Sequence, residues 1–403
     1  GLMKLNRCSA YRMAVGAIAV LLLSACRGPM NVQGGSTGPA FGGGDPNVST
    51  NSPVKHLIVV VFQNRSFDHL FGHYQPPSGQ TVEVANSTSL GWSQHDAGGN
   101  VITPTLRTDP NADDMPHNHD AYVSSFDNGL MDGFAAGEGD QAMQYYDQTI
   151  PGVDIFYNYA NQYALADHYF SSALSSAPAQ MFYMVSATDN DVSFSTYPVY
   201  GPCTQPDSAA TANTSPNVGD QMSQQKVGWI WFQEAYGQCG NYVPQQNPFQ
   251  YFTSTQNGSH IQDLSVFYAQ LQSGQLPSVS FIQMAPSHSG HPGSSSITAA
   301  GNWFDQFVKQ VQGSTSWNNT AIIALWDEGG GWYDHVPPPQ IDSQGLGIRV
   351  PLILISPYAK KGIVYHSVAD HTSVLRFIQW NWNLPALNSR NSQLDDLRGM
   401  FTF

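Results

Sequence analysis

Three apolar runs in the sequence are each followed directly by side chains that can hold a cation, a proton or a phosphate. Carboxylate and amide oxygens are the ligands that hard divalent ions prefer, and imidazole transfers protons near neutral pH. Because open α/β sheets bind ligands at the carboxyl ends of their strands, the three sets are expected at one edge of a sheet. The sets are Gln63 and Asn64 after residues 57–62, His288 and His291 after residues 276–284, and Asp327 and Glu328 after residues 321–326.

Asp327 and Glu328 give the strongest chemical signal of the three sets. Two adjacent carboxylates after a buried strand are costly unless a cation, a proton or a histidine compensates them. A hard divalent ion held by Asp327, Asn64 and a serine hydroxyl removes that cost and also neutralises a phosphate. Acidic pairs also occur by chance, and the polar stretch after residue 62 equally fits a strand exit with an Asn turn and a Ser66 helix cap. From these residues alone, both interpretations stay open.

The elements that must position these side chains are predicted from hydrophobic patterning. Residues 57–62 form a continuous, β-branched apolar run, which is typical of a strand buried on both faces of a parallel sheet. Strands separated by helices, each leaving polar residues at its end, predict a three-layer α/β/α sandwich with a mostly parallel central sheet. Further predicted strands are residues 227–232, 276–284, 321–326 and 350–357, and predicted helices are residues 151–172, a helix beginning at 181–186, 297–312 and 372–382.

Two polar clusters each have a chemical and a structural interpretation. The serines of residues 171–176 precede Pro178 and a predicted helix, where a hydroxyl commonly caps the helix. The same position places a hydroxyl beside free helix N–H groups, which bind phosphate. Residues 114–120 contain two His and two Asp, which fit either catalysis or a solvated helix start. Taken without context, the solvated start is favoured for this second cluster.

The composition excludes one class of partner. The chain has 403 residues, of which 41% are hydrophobic, so it can bury a large core. Only 15 Lys and Arg stand against 29 Asp and Glu, and the formal net charge is −14. A polyanion is repelled by such a field, so no nucleic-acid partner is expected.

Residues 1–25 are predicted to be a lipoprotein signal peptide. A basic segment precedes an apolar run at residues 13–23, which is short for a membrane span, and residues 23–26 (LSAC) resemble a bacterial lipobox. The resemblance implies cleavage before Cys26, lipidation of its thiol, and an exported protein anchored to the bacterial envelope on its periplasmic or cell-surface side. A plain secretory signal with an incidental Cys is the alternative. Residues 26–53, rich in Gly, Ser, Pro, Asn and Thr, are predicted to be a flexible tether.

The remaining residues 54–403 are predicted to form one folded domain with an insertion. Residues of about 189–260 differ in texture, being rich in Asn, Gln, Ser, Thr, Pro and Tyr, and predict a cap over the sheet edge that carries substrate selectivity. Cys203 and Cys239, which remain after the signal peptide and Cys26 are accounted for, most simply form one disulfide in an exported protein. Two free thiols also fit.

Five sequence blocks then occur in order between residues 54 and 385. Glu-Asn-Arg-Ser-Phe-Asp after an apolar strand is matched by residues 63–68 in five of six positions. Together the blocks resemble the bacterial phosphoesterase family of phosphatidylcholine-type phospholipases C and related acid phosphatases, within the alkaline phosphatase superfamily. The other four blocks are Pro-His with Asn-Gly-x-Met-Asp-Gly-Phe at residues 116–117 and 128–134, His-Pro-x-Ser-Ser at 291–295, Asp-Glu-x-Gly-Gly-x-Tyr-Asp-His-Val-Pro-Pro-Pro at 327–339, and Asp-His-Thr-Ser-Val-Leu-x-Phe-Ile at 370–378.

The resemblance implies hydrolysis of phosphate esters through a serine or threonine nucleophile and one divalent metal ion of undetermined identity. The ligands that it implies are Asn64, Asp327 and Glu328, together with Gln63 at the position where the family usually has Glu. A Gln removes one negative charge from the site. The affinity for metal is therefore expected to fall, and metal occupancy is in question.

The nucleophile segment departs from the family pattern as well. An ungapped alignment from Tyr183 places Ala177 at the nucleophile, whereas matching Ser-x-Pro places Ser176 there with one residue inserted in the following helix. Ser176 is the preferred nucleophile because an alanine cannot be phosphorylated. Ser175 is the second choice.

The resemblance also assigns roles to histidines. His117 and His291 are expected to bind the phosphoryl oxygens or to protonate the leaving group. His335 and His371 match family positions too, but hydrogen bonding across the strand ends is an equal alternative for both. Since the acidic body repels anions, local positive charge must compensate at the site, and Arg65 with the histidines is the candidate source.

Two classes of function follow from the sequence. The first is a phosphoric ester hydrolase, either an acid phosphatase acting on varied monoesters or a phospholipase C that cleaves a lipid headgroup. The alternative is a catalytically degenerate surface protein that binds phosphate or lipid on the same scaffold, suggested by Gln63 and the irregular nucleophile segment.

Overall fold

The central sheet of the protein has eight strands in the computed structural model, which describes residues 44–189, 192, 195–256 and 258–403. Two small two-stranded sheets, β2 with β3 and β4 with β5, lie outside the central sheet. The strands are β1 (His56–Phe62), β2 (Gln94–His95), β3 (Val101–Ile102), β4 (Thr105–Leu106), β5 (Gln144–Tyr145), β6 (Ala164–Ala166), β7 (Trp229–Gln233), β8 (Ile261–Asp263), β9 (Val279–Gln283), β10 (Thr320–Trp326), β11 (Leu352–Ile355) and β12 (Ile363–Tyr365).

The strand order in the central sheet is β12-β6-β11-β10-β1-β9-β7-β8. Strand β11 is antiparallel to both of its neighbours, and the other neighbouring pairs are parallel. The carboxyl ends of β1, β9 and β10 therefore meet at one edge of the sheet. This is the edge at which the sequence predicts the chemical side chains.

Strand β1 lies at the centre of the sheet, between β10 and β9. Six of its seven residues are buried, as expected for a β-branched run covered on both faces. Phe62 is in register with Trp326 of β10, and its ring makes edge contacts 5.3 Å from those of Phe156 and Phe304 on the helices that cover the sheet. The backbone amide of Asp327 donates to the Phe62 carbonyl at 3.0 Å. The residues that follow β1 and β10 are thus held side by side.

Helices cover the sheet in packed pairs, α4 (Val153–Gln162) with α8 (Ile297–Gln312) and α5 (Ala177–Ser186) with α9 (His371–Asn381). The predicted helix at residues 297–312 is confirmed without a shift, and it begins at the Ser296 cap, whose hydroxyl accepts from the Ala299 amide. The three-layer α/β/α sandwich with a mostly parallel sheet is confirmed. The helices are α1 (Phe67–Phe71), α2 (His119–Phe126), α3 (Phe134–Glu138), α4 (Val153–Gln162), α5 (Ala177–Ser186), α6 (Val218–Gln224), α7 (Leu264–Ser273), α8 (Ile297–Gln312) and α9 (His371–Asn381).

The helix predicted over residues 151–172 is wrong in its second half. Helix α4 ends at Gln162, and residues 164–166 form β6, which pairs with β11 and β12. All three β6 residues are buried, and an Ala-Leu-Ala run carries no signal that separates a buried strand from a helix turn. Sheet pairing decides this segment.

The segment of residues 189–260 contributes both to the sheet and to its surroundings. Strand β7 lies within the sheet between β9 and β8, so this part of the segment extends the sheet itself. The predicted disulfide between Cys203 and Cys239 is confirmed, and it joins two loops of the segment.

The described chain begins at Gly44, within the predicted tether of residues 26–53. Here the Asp45 amide donates to the Lys226 carbonyl at 2.8 Å and the Asn51 amide to the Asn381 carbonyl at 2.9 Å, so residues 44–53 run along the folded body. The predicted signal peptide, the lipidated Cys26 and the tether up to residue 43 lie outside the described residues. In the part of the chain that is described, no helix combines the length and the apolar character that a membrane crossing needs.

Candidate active site

A cavity of about 900 Å³ opens at the carboxyl edge of the central sheet. Five of the residues that the sequence selects line it together: Gln63, His117, Ser175, Ser176 and His291. They come from four separate parts of the chain, and only the fold brings them to one wall. The three other predicted metal ligands, Asn64, Asp327 and Glu328, lie next to this wall: Asn64 and Glu328 contact the imidazoles, and Asp327 contacts Asn64.

Asn64 is the hub of the site. Its backbone has a left-handed conformation, with φ at 63°, and its amide donates to Asp327 Oδ1 at 3.0 Å. Its side-chain Nδ2 lies 3.2 Å from Nε2 of both His117 and His291. Gly330 packs on this turn so closely that a Cβ there would lie 2.4 Å from the Asn64 carbonyl oxygen, which requires glycine at that position.

Asp327 and Glu328 form a fully buried carboxylate pair. Burial and the neighbouring Glu328 carboxylate raise the pKa of Asp327 well above its usual range, against the hydrogen bonds that Oδ1 accepts from the amides of Asn64 and Glu328. Burial also raises the pKa of Glu328, although Tyr122 donates to its Oε2 and His117 opposes the shift. The protein groups around the pair thus leave its negative charge incompletely compensated.

Three buried oxygens of the site have no hydrogen-bond partner among the described residues: Asn64 Oδ1, Asp327 Oδ2 and Glu328 Oε1. Such atoms are costly when left unpaired. Two carboxylates and one amide oxygen are a donor set that suits a hard divalent ion. The residues present therefore fit the predicted metal. Gln63 presents an unpaired Nε2 at the same place, which a carboxylate would not do.

His117 and His291 face each other across the site, with ring centroids 5.8 Å apart. Each imidazole has Nδ1 on a backbone carbonyl, that of Met115 at 2.5 Å and that of Pro292 at 2.6 Å. If both Nδ1 atoms donate to these carbonyls, both Nε2 atoms keep a lone pair toward Asn64 and the cavity. Each ring can then accept a proton at Nε2.

The two imidazoles have different electrostatic surroundings. Burial lowers the pKa of His117, but the Glu328 carboxylate, whose Oε1 lies 3.8 Å from Nε2, outweighs it with the help of Asp114, and the net shift is upward. Burial lowers the pKa of His291, and the carbonyl of Pro292 does not overcome it. The environments therefore separate the pKa values of the two rings.

Ser176 is the N-cap residue of α5, yet its hydroxyl makes no capping hydrogen bond within the described structure. Because Ser176 also lines the cavity, its Oγ is available there. The amide of the next residue, Ala177, stabilises the ionised carboxylate of Glu328, which places the start of α5 beside the carboxylate pair. Ser175 lines the same wall.

Arg65 does not line the cavity, and its charge acts there from a distance: burial first, and then the charges of His117 and Arg65, lower the pKa of His291. Its guanidinium is buried, donates to the Gly290 carbonyl at 3.0 and 3.2 Å, and lies 2.9 Å from His69 Nε2. It also stacks over the ring of Trp332. The Arg65 side chain, one residue before the Ser66 cap of α1, therefore lies in the packed core. His288, the other histidine after β9, contacts Glu234 at 3.1 Å instead of the site residues.

His335 belongs to a second buried charged group, here called the Arg349 cluster and consisting of Asp68, Asp334, His335 and Arg349. The Arg349 guanidinium donates to Asp68 Oδ1 at 3.0 Å and to Asp334 Oδ1 at 3.0 Å, and His335 Nδ1 lies 2.5 Å from Asp68 Oδ2. Burial opposes ionisation of Asp68, but Arg349 and His335 outweigh it and lower its pKa. Burial raises the pKa of Asp334 to about 6. These contacts fit the structural alternative for His335.

His371 also has structural contacts. Its Nε2 donates to the backbone carbonyl of Asp327 at 2.6 Å, and Tyr169 donates its hydroxyl to Nδ1 at 2.7 Å. Burial lowers the pKa of His371 to about 4, so the ring is neutral at ordinary pH. The ring holds the end of β10 from behind.

Two residues near the site were missed or underrated from the sequence. Tyr122, on α2, donates to Glu328 Oε2 and accepts from the Gly330 amide at 2.7 Å. No sequence signal connects Tyr122 with Glu328, since the two residues are 206 positions apart. Asp114 lies 3.5 Å from His117 Nδ1, so the cluster at residues 114–120 is part of the site wall, not only a solvated helix start.

Comparison with known proteins adds a family match. The model of the Phosphoesterase family matches residues 54–385. The Non-hemolytic phospholipase C of Burkholderia pseudomallei is 25% identical over 394 residues, which cover 82% of this chain and 55% of the relative. Phospholipase C B of Mycobacterium tuberculosis is 24% identical over 434 residues, which cover 93% of this chain and 82% of the relative. The chain spans little more than half the length of the Burkholderia protein.

Two solved structures align with this chain at low sequence identity. A protein in the alkaline phosphatase superfamily from Vibrio parahaemolyticus gives a TM-score of 0.44 at 8% identity and covers 88% of this chain and 74% of its own. Murine ectonucleotide pyrophosphatase / phosphodiesterase 5 gives a TM-score of 0.41 at 9% identity and covers 83% of this chain and 96% of its own.

Proposed function

The chain belongs to the Phosphoesterase family, and from this premise we propose that it hydrolyses phosphate esters with Ser176 as the nucleophile. The substrate is a phosphomonoester, as for an acid phosphatase, or a phospholipid, as for the relatives named phospholipase C. One observation carries the proposal. Three buried oxygens without partners among the described residues lie behind a cavity wall that also presents a free serine hydroxyl and two imidazoles.

One divalent ion completes the proposed site. Asn64, Asp327 and Glu328 would hold it, with Gln63 at the edge of the donor set. When bound, such an ion supplies positive charge that offsets the buried carboxylates and the phosphate oxygens. The acidic body of the protein makes this local compensation necessary.

The reaction proposed for this chain's own groups has two displacements. In the first, Ser176 Oγ attacks phosphorus, its proton is taken up by an imidazole, and the bond from phosphorus to the ester oxygen breaks. The leaving oxygen takes a proton from an imidazole, for which His117 and His291 both reach the cavity. The product is a phosphoserine at the N-terminus of α5, where free backbone amides stabilise negative charge. In the second displacement an imidazole takes a proton from water, the water oxygen attacks phosphorus, and the bond from phosphorus to Ser176 Oγ breaks. Oγ regains a proton from an imidazole, and the product is phosphate from a monoester or a phosphomonoester from a phospholipid, whose headgroup stays on the intermediate.

The segment of residues 189–260 is proposed to act as a cap that selects the substrate. Val243 and Gln246 of this segment line the same cavity as the predicted catalytic residues. Loops on a rigid scaffold commonly carry specificity, and here the disulfide restrains the loops on both sides of β7.

Hydrolysis of p-nitrophenyl phosphate and p-nitrophenyl phosphorylcholine, with and without a chelator, tests the proposal. The protein of residues 27–403 should hydrolyse at least one ester, and Ser176→Ala should lower kcat by about 10³-fold or more. Ser175→Ala, on the same wall, is the matched control and should keep most of the activity. Full activity in Ser176→Ala with loss in Ser175→Ala would transfer the nucleophile role to Ser175.

A degenerate binding protein is the second candidate, and Gln63 is the observation that favours it. Its uncharged side chain with an unpaired Nε2 replaces a carboxylate at the metal site. This candidate predicts that neither ester is hydrolysed with any divalent ion added, while the protein still binds inorganic phosphate or phosphatidylcholine vesicles. Such a result would end the enzyme proposal.

Export and lipid anchoring through Cys26 are proposed from the sequence alone. Residues 1–25 and the LSAC segment support this assignment. In a bacterial host, radiolabelled fatty acid should be incorporated into the wild-type protein and not into Cys26→Ser. Equal labelling of both proteins contradicts the anchor.

A further inference from the structure

A second group of side chains that could ligate a metal lies at the β12 side of the central sheet, at the carboxyl ends of the parallel strands β6 and β12. Asp167 and His168 follow β6 directly, and His366 follows β12. Asp167 Oδ1 lies 3.0 Å from His168 Nδ1 and 2.8 Å from His366 Nδ1. One possible ligand atom from each of the three residues lies within 4.8 Å of those of the other two. Donor atoms around one tetrahedral ion, with bonds of about 2.0–2.1 Å, have separations of this order.

The groups behind these three atoms are arranged as they are around bound metals. The Glu83 carboxylate Oε2 lies 2.9 Å from His168 Nε2, and the Glu83 amide donates to Asp167 Oδ2 at 2.9 Å. A histidine that ligates a metal usually donates its other ring N–H to a carboxylate, and a ligating carboxylate usually accepts a further hydrogen bond. Glu83 meets both requirements.

The contact with Glu83 also determines which nitrogen of His168 carries a lone pair toward Asp167. The neutral tautomer that donates from Nε2 to Glu83 leaves a lone pair on His168 Nδ1. That lone pair faces Asp167 Oδ1 at 3.0 Å. Repulsion between the two lone pairs is removed either by a second proton on the imidazole or by a cation that both atoms bind.

We propose that Asp167 Oδ1, His168 Nδ1 and His366 Nδ1 form a second metal site, distinct from the one at Asp327, that takes a borderline transition-metal ion such as Zn²⁺. Two imidazoles and one carboxylate are a ligand set for zinc and not for magnesium or calcium. Asp167 is buried, whereas 48% of the His366 side chain is exposed, so the ion has an entry path and an open position for water. The site ties the segment around Glu83 to the edge strand β12 and to its neighbour β6.

Metal counting on the purified full chain tests this site independently of catalysis. The protein is stripped with a chelator, loaded with Zn²⁺, desalted and analysed for bound zinc. Wild type should retain one more zinc equivalent than His366→Gln, whatever the Asp327 site binds. His95→Gln, at an exposed histidine on β2 outside the cluster, should match wild type. Circular dichroism and thermal unfolding of the metal-free proteins establish that the variants are folded.

A second variant tests the role of Glu83. Glu83→Gln keeps all three ligands and should retain the extra equivalent with an affinity about 10- to 100-fold weaker, measured by competition with a chromophoric chelator. Equal zinc content in wild type and folded His366→Gln would overturn the site. Unchanged affinity in Glu83→Gln would overturn the ligand orientation on which it rests.

Discussion

Two buried charged groups follow strand β10, and they differ in whether the protein satisfies them. The Arg349 cluster is saturated by protein contacts: the amides of His335 and Asp68 reach its carboxylates at 2.8 and 3.0 Å, in addition to the guanidinium contacts. The carboxylate pair of Asp327 and Glu328 leaves two oxygens without hydrogen-bond partners in the described structure. Both groups are fully or almost fully buried.

This difference in hydrogen-bond pairing offers a way to distinguish a buried charge that the fold itself compensates from one that needs a ligand. Residues 327–339 form one sequence block, in which Asp327 and Glu328 each keep an unpaired oxygen, whereas Asp334 and His335 are paired within the protein. A buried charge is tolerated when the fold pairs it, or when a ligand completes it later. The unpaired carboxylate oxygens of Asp327 and Glu328 therefore distinguish the proposed metal site from the Arg349 cluster.

The largest expected effect is a loss of activity without a loss of stability when the charge of Asp327 is removed. Asp327→Asn keeps an oxygen that can accept from the Asn64 and Glu328 amides but removes the charge. The rate of ester hydrolysis should fall by about 10⁴-fold. The free energy of unfolding of the metal-free protein should stay the same or increase, because burial and Glu328 disfavour the ionised form. Steady-state kinetics and urea unfolding measure the two quantities, and a clear loss of stability would break the comparison.

The converse is expected in the Arg349 cluster. Arg349→Met leaves Asp68 and Asp334 buried without their cation and should lower the free energy of unfolding by about 3–5 kcal/mol. The activity of each folded molecule should change little. Arg349→Lys keeps the positive charge but loses the forked contacts of the guanidinium. Its free energy of unfolding should lie between those of wild type and Arg349→Met. A loss of under about 1 kcal/mol in Arg349→Met would show that the cluster is not structural.

The pH dependence of stability isolates one contact of the same cluster. Burial lowers the pKa of His335, but Asp68 outweighs it and raises the pKa above the ordinary value. The stability from this contact is therefore complete below pH 6.5, the ordinary pKa of the unfolded chain, and is lost as the pH rises through the raised folded value. His335→Gln should remove this loss, which is about 1.5–3 kcal/mol for a charged hydrogen bond.

Urea unfolding of metal-free protein between pH 5.5 and pH 9 measures this difference. His95→Gln is the control and should follow the wild-type curve. Parallel curves for wild type and His335→Gln would exclude the contact as the cause.

The smallest effect concerns Gln63. Gln63→Glu restores the family carboxylate and should raise the affinity for a divalent ion by roughly tenfold, since affinity follows ligand charge. The metal-free protein should become less stable, because a third carboxylate joins the unpaired pair. Gln246→Glu, at another residue that lines the cavity, is the control for added charge. Competition with a metal-sensitive dye measures the affinity, and equal effects of both variants would exclude Gln63 from the metal site.

The sequence predicts the part of the site that depends on strand ends. Asn64 and Asp327 meet because two long apolar runs become neighbouring parallel strands, and hydrophobic patterning is sufficient for that inference. His117 required the family resemblance, since it lies in a loop with no periodic pattern.

Other contacts depend on side-chain direction and long-range packing, which local sequence does not encode. Arg65 follows the same strand as Asn64, yet it turns toward Gly290 and His69 because that pocket of carbonyl and aromatic groups holds a guanidinium. Tyr122 meets Glu328 only through the placement of α2. Strand β6 is too short for its own sequence to define it.

The left-handed turn at Asn64 limits which residues can occupy this position in any mutational library. Its φ of 63° favours Gly, Asn and Asp, which tolerate this conformation best. An oxygen at the end of a short side chain is needed where Asn64 Oδ1 lies unpaired, and this removes Gly. Asn and Asp are then the residue types tolerated at position 64, and the choice between them sets the charge of the site without changing its backbone.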